Sequence, residues 1–109
     1  MVKAVSKPKV TTTGRTKTLA YDVSEQLRTP EEMAAYLDAW LAEAPEDAAG
    51  IARALGDIAR ARGMTQVARD AGLSRESLYK ALGENGNPTF ATVLKVVRAL
   101  GVKFHAEPA

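Results

Sequence analysis

Thr65-Gln66-Val67-Ala68-Arg69-Asp70-Ala71-Gly72-Leu73-Ser74-Arg75-Glu76-Ser77-Leu78-Tyr79-Lys80-Ala81-Leu82-Gly83 is the stretch on which the reading of this chain turns. Two very short helical runs flank Gly72, and neither persists alone, since isolated helices below about 12 residues are marginal in water. They must be held by packing. Ala68, small and placed mid-run, lets two backbones approach, and four residues later Gly72 takes the left-handed conformation that a tight turn demands. Ser74 caps the second run and Gly83 ends it. With Leu73 and Leu78 directed to a core, Ser74, Arg75, Glu76, Ser77, Tyr79 and Lys80 are left outside. The pattern predicts helix, tight turn, helix: a rigid ledge presenting a polar helix.

A helix of that kind fits the roughly 12 Å wide major groove of duplex DNA, where Arg bonds bidentately to guanine and hydroxyls serve phosphates or base edges. Arg75 and Lys80 are read as base or phosphate contacts in preference to ordinary solvated charges. Tyr79 has two roles open to it, groove contact or partial packing. Glu76 either accepts from a cytosine amine or complements the positive end of its helix. Asn87 and Thr89 are placed to bond a phosphate at the start of the last helix, where exposed amides favour anions; capping alone also accounts for Thr89. Lys95 and Arg98 read as the solvated face of that helix.

Upstream, Thr29-Pro30-Glu31-Glu32 is a helix start, with Thr29 as cap, Pro30 where its missing N–H costs nothing, and Glu32 reaching back. It predicts a helix over 30–44 with Met33, Tyr36, Leu37, Trp40, Leu41 and Ala44 on one stripe and Trp40 as a core anchor. Ala44-Pro45 breaks this helix. A second follows over 47–62, with Ile51, Leu55, Ile58 and Ala59 inward and Arg53, Asp57, Arg60 and Arg62 outward, ended by Gly63. Downstream, residues 84–88 form a loop, and a last helix over 90–100 carries Phe90, Val93, Leu94, Val97 and Leu100 on one face. Gly101 stops it, and Val102, Lys103, Phe104 and His105 alternate as a short terminal strand does. Residues 1–18, rich in Lys and Thr, read as a flexible basic arm, and Leu19, Tyr21 and Val23 as a short extended segment.

The chain has 109 residues, of which 46% are apolar and only 6% aromatic. One core built from Ala, Leu, Val and Ile suits helix packing, so the expected class is all-α with five helices. Three units are expected along it: the arm at 1–18, the extended segment and acidic helix at 19–46, and a DNA-binding unit at 47–105. There is no cysteine, which excludes disulfides and thiolate chemistry and makes the cytosol the default compartment. No apolar run approaches the roughly 18 residues of a membrane span, and no secretion signal is read. His105 is the single histidine, so neither a triad nor a histidine metal site is assembled. Glu31/Glu32 and Glu46/Asp47 sit at helix starts, where dipole complementarity explains them. The reading is a protein that is not an enzyme and uses no cofactor.

Charge runs in blocks behind the net +2. Residues 1–17 hold five bases and no acid; residues 22–47 hold eight acids against Arg28; residues 53–103 hold nine bases against four acids. Such a layout suits a polyanion at the basic end and a basic protein at the acidic segment.

Gly63 to Val102 resembles the lambda-repressor/Cro-type (Xre-like) helix-turn-helix domain. The resemblance rests on the Thr65-Gln66 start, the Ala68/Gly72/Leu78 framework, Asn87-Pro88-Thr89 and the closing Ala99-Leu100-Gly101-Val102. One departure is visible: only Val67 separates Gln66 from Ala68, where the common form has more residues, so the first helix of the pair is short. A longer match covers about residues 19–107. Leu55-Gly56-Asp57-Ile58-Ala59-Arg60-Ala61-Arg62-Gly63-Met64, Leu73 to Leu82, Gly86-Asn87-Pro88-Thr89-Phe90 and the acidic lead-in from Tyr21 to Leu37 resemble the addiction module antidote proteins, HigA-like antitoxins. The resemblance implies a homodimer that represses its own operon on double-stranded operator DNA and neutralises a small, basic RelE/HigB-like toxin that cleaves RNA. Gln66, Ser74, Arg75, Glu76, Ser77, Tyr79, Lys80, Asn87 and Thr89 are the DNA-binding candidates. The alternative expectation is a stand-alone phage-type transcriptional repressor without a toxin partner.

Overall fold

The computed structural model describes residues 27–109; the basic stretch 1–18 and the alternation at Leu19, Tyr21 and Val23 lie outside the described residues. Among those described there are five helices and no strand: α1 (Pro30–Glu43), α2 (Ala48–Arg62), α3 (Met64–Ala71), α4 (Arg75–Ala81) and α5 (Phe90–Ala99). This is the all-α class that the composition predicts, and helix ends fall within a residue of the expected ones.

The start of α1 is closed from both sides. Thr29 Oγ1 accepts from the Glu32 N–H at 3.1 Å, while Glu32 Oε1 accepts from the backbone N–H groups of Thr29 (3.0 Å) and Arg28 (2.8 Å). Three otherwise orphaned donors are thereby satisfied, and Pro30 contributes none. At the far end the Ala44 N–H closes on Trp40 O, and after Pro45 the Asp47 carboxylate accepts from Gly50 N at 2.9 Å to begin α2.

α1 and α2 are joined by a polar bridge as well as by apolar packing. The Tyr36 hydroxyl donates to Asp57 Oδ2 at 2.8 Å, and Arg60 donates to Asp57 Oδ1 at 2.8 Å. Burial, and then the adjacent Asp57 carboxylate, push the Tyr36 hydroxyl well above its ordinary value. Asp57 is therefore a half-buried cross-link and not the solvated residue that periodicity suggests. Trp40 is only partly buried, with its ring over Gly50, where an added Cβ would collide with it.

α3 lies against α2, α4 and α5. Its Val67, Ala68 and Ala71 meet Leu55, Ile58, Leu78, Leu82, Val96 and Leu100 in one core, which Leu27, Met33 and Leu37 extend toward α1. α2 presents Gly56 to the end of α4, where a Cβ at 56 would stand 2.9 Å from Leu82 O.

Two expectations need correction near the C-terminus. α5 is rolled toward Val96, Val97 and Leu100, so Phe90 and Leu94 lie outside at 69% and 45% exposure. Phe90 is on the first turn of α5, and Leu94, four residues on, is on the same edge of the stripe. The alternating residues after Gly101 form no strand, and the described residues contain no second strand whose ladder could pair their N–H and C=O groups. The segment is instead held at its root. The Gly101 N–H bonds Arg98 O, the Val102 N–H bonds Val97 O, and Arg62 Nη1 donates to Leu100 O at 3.0 Å. Among the described residues no helix is long and apolar enough to cross a membrane.

Candidate nucleic-acid interface

The connection from α3 to α4 is made by three residues. Gly72 has φ +73° and ψ +31°, a conformation that costs a residue with a Cβ roughly 1–2 kcal/mol. Its N–H bonds Arg69 O at 3.2 Å, and the Leu73 N–H bonds Ala68 O at 2.9 Å. These two bonds form the Schellman motif, which satisfies the last carbonyls of α3 and turns the chain sharply. Leu73 then packs on the core.

Ser74 starts α4 in extended conformation, its Oγ accepting from Ser77 N at 2.9 Å and donating to Ser77 Oγ at 2.9 Å. In α4 only Leu78 is fully buried. That one side chain contributes about 1.5–3 kcal/mol by burial and fixes the rotation of the helix about its own axis. Ser74, Arg75, Glu76, Ser77, Tyr79 and Lys80 are consequently all exposed.

Arg75 and Tyr79 share the outer face. The Arg75 guanidinium donates to the Tyr79 hydroxyl at 3.1 Å, and its carbon lies 5.1 Å from the ring centroid. At i and i+4 on an exposed helix such a contact is weak, of the order of 0.5–1 kcal/mol. It restricts the arginine without burying it. Tyr79 is 43% exposed, so ring and hydroxyl remain reachable from outside.

The remaining candidates fall into separate groups. Gln66 is exposed on α3, donating to Asp70 Oδ1 at 2.9 Å and accepting a long contact from Arg69 Nη1 at 3.5 Å. Thr89 caps α5, its Oγ1 accepting from Thr92 N at 3.1 Å. Asn87 is exposed in the loop before it. Ser74 with Ser77 and Arg75 with Tyr79 are brought into direct contact; Gln66 and Thr89 are engaged within their own helices. Arg69 escapes the sequence reading, yet it is exposed and next to Gln66; the i, i+3 spacing from Gln66 is the signal that finds it.

Electrostatically the molecule is divided. Exposed Arg69, Arg75, Lys80, Lys95 and Arg98 lie on α3, α4 and α5, whereas no Lys or Arg occurs between Arg28 and Arg53, the span of α1 and the start of α2. Cations beside hydroxyls and an aromatic ring on a short rigid helix suit a phosphate backbone and base edges.

Comparison with known proteins places the chain. A family model described as "Probable addiction module antidote protein" matches residues 17–108. A protein of Haemophilus influenzae, described as an uncharacterized protein, is 55% identical over 87 residues, covering 80% of this chain and 88% of the relative. No solved structure matches. With a match that runs from before α1 to beyond α5, the chain belongs to the family of addiction module antidote proteins.

Proposed function

We propose that this antidote is the antitoxin of a type II toxin–antitoxin module, acting in the cytoplasm. It binds operator DNA through α3 and α4 as a helix-turn-helix, represses its own operon, and neutralises a RelE/HigB-like RNase toxin by protein–protein binding. The observation that carries the DNA-binding part is the seating of α4 through Leu78, with Arg75, Tyr79 and Lys80 outward. In this reading α4 is the recognition helix: Arg75 and Lys80 reach bases or phosphates, Ser74 and Ser77 serve the backbone, and Gln66, Asn87 and Thr89 hold flanking phosphates. Glu76 either reads a cytosine amine or stays in water.

A homodimer places two recognition helices about one DNA turn, roughly 34 Å, apart on a near-palindromic site. Exposed Phe90 and Leu94 on the outer edge of α5 offer apolar area for self-association.

The test is a titration of the chain's own promoter fragment and a scrambled fragment at several salt concentrations. Salt-sensitive binding that favours the promoter is expected, and Arg75→Ala should cost roughly 1–3 kcal/mol on the promoter if Arg75 reads a base. Equal losses on both fragments reassign Arg75 to phosphate; absence of binding removes the DNA role. Co-expression with the toxin, followed by co-purification and growth rescue, tests the other half. Promoter binding without complex or rescue would leave a stand-alone repressor.

A further inference from the structure

After α5 the chain doubles back beside α1. Val102 and Phe104 from the tail and Ala34, Leu37 and Leu41 from α1 enclose a groove of about 360 Å³. Its floor is fixed: Leu37 is fully buried, and Leu41 and Val102 pack on the core. Among the described residues nothing covers its lip, where Phe104 is 40% exposed. Space of this size accommodates a large apolar side chain.

The rim says what kind of chain brings that side chain. Asp38 lines the α1 wall, and Glu31, Glu43, Glu46 and Asp47 are exposed along α1 and the following turn, with no Lys or Arg from residue 29 to 52 to offset them. The opposite wall carries Lys103 and His105, the latter 3.7 Å from Glu107. The two walls thus differ in sign, and the broad negative side is α1. Nucleic acid is repelled from it. The competing occupant is a second copy, offering its basic α3 to α5 surface or its own Lys103 wall, and the oligomeric state tests it.

We infer that this groove is where the toxin docks, taking one apolar anchor side chain from a basic segment that lies along α1. The inference rests on the antidote reading and adds the surface to it.

The experiment uses the full chain and its cognate toxin, titrated against each other by calorimetry. Ala34→Trp fills the groove and Asp38→Lys reverses its rim; both positions face solvent at least in part, and thermal melts establish that each variant folds. At least a tenfold loss of toxin affinity is expected for Ala34→Trp, with a loss for Asp38→Lys that shrinks as salt rises. Folded variants with unchanged affinity overturn the groove while leaving the antidote reading intact. A change of oligomeric state in Ala34→Trp with unchanged toxin affinity gives the groove to a second copy instead. If the parent chain itself forms no complex, the antidote reading and this inference fall together.

Discussion

The α1–α2 pair and the α3–α4 pair solve the same problem with different materials. Between α1 and α2 a polar bridge crosses the interface, with Tyr36 donating to Asp57, which Arg60 also holds from within α2. Between α3 and α4 the attachment is apolar and backbone-made: Leu78 in the core and the Gly72 turn. Side-chain hydrogen bonds do occur there, but those between Gln66 and Asp70, Ser74 and Ser77, and Arg75 and Tyr79 all span three or four residues of one element. Each is worth at most about 1 kcal/mol on an exposed helix. Polar groups are committed to the structure in the first pair and kept exchangeable in the second. A surface meant to trade its hydrogen bonds for those of a ligand has to be built in the second way.

The comparison breaks most visibly at Leu78. Leu78→Ala should destabilise the protein by about 2–5 kcal/mol in urea denaturation, because it leaves a cavity under the middle of α4, where Leu78 is the fully buried residue. A loss under 1 kcal/mol would show that α4 is held by something else. Gly72→Ala comes next, at roughly 1–2 kcal/mol, since its φ of +73° is the strained region for a side chain. Were the turn able to relax, the melting temperature would hardly move. The smallest effect belongs to Tyr36→Phe, about 1 kcal/mol at neutral pH. Tyr36 in the folded chain holds its proton beyond the ordinary value of 10.0. The unfolded chain releases it there, so this contribution is present below about pH 10 and is lost as pH rises above it. Alkaline stability curves should therefore fall more steeply for the parent chain than for Tyr36→Phe, and parallel curves would mean the hydroxyl carries no such linkage.

What was legible in the sequence was the punctuation. Thr29-Pro30-Glu32 announces α1 through a box of bonds that only those residue types make, and Gly72 announces the turn through a backbone angle that other residues resist. Faces were less legible than ends. Phe90 and Leu94 share a stripe with Val97 and Leu100, but which edge of a wide apolar stripe meets the core depends on neighbours that periodicity does not contain. Asp57 reads as solvated until Tyr36, 21 positions away, is seen to reach it. The tail residues 102–105 alternate like a strand, yet pairing needs a second strand that the chain does not supply among its described residues. In the candidate interface, Ser74 to Lys80 were legible as exposed because one helical period around Leu78 decides them; the engagement of Gln66 with Asp70 and Arg69 was not, being a choice of rotamers.

Gly56 sets the height at which α4 rides. Because Leu82 O occupies the room a Cβ would need, the far end of that helix is seated as low as two backbones permit, and one added methyl group on α2 would jack it outward. The altitude of the exposed side chains is thus governed from beneath, by a position that contributes no side-chain atom of its own.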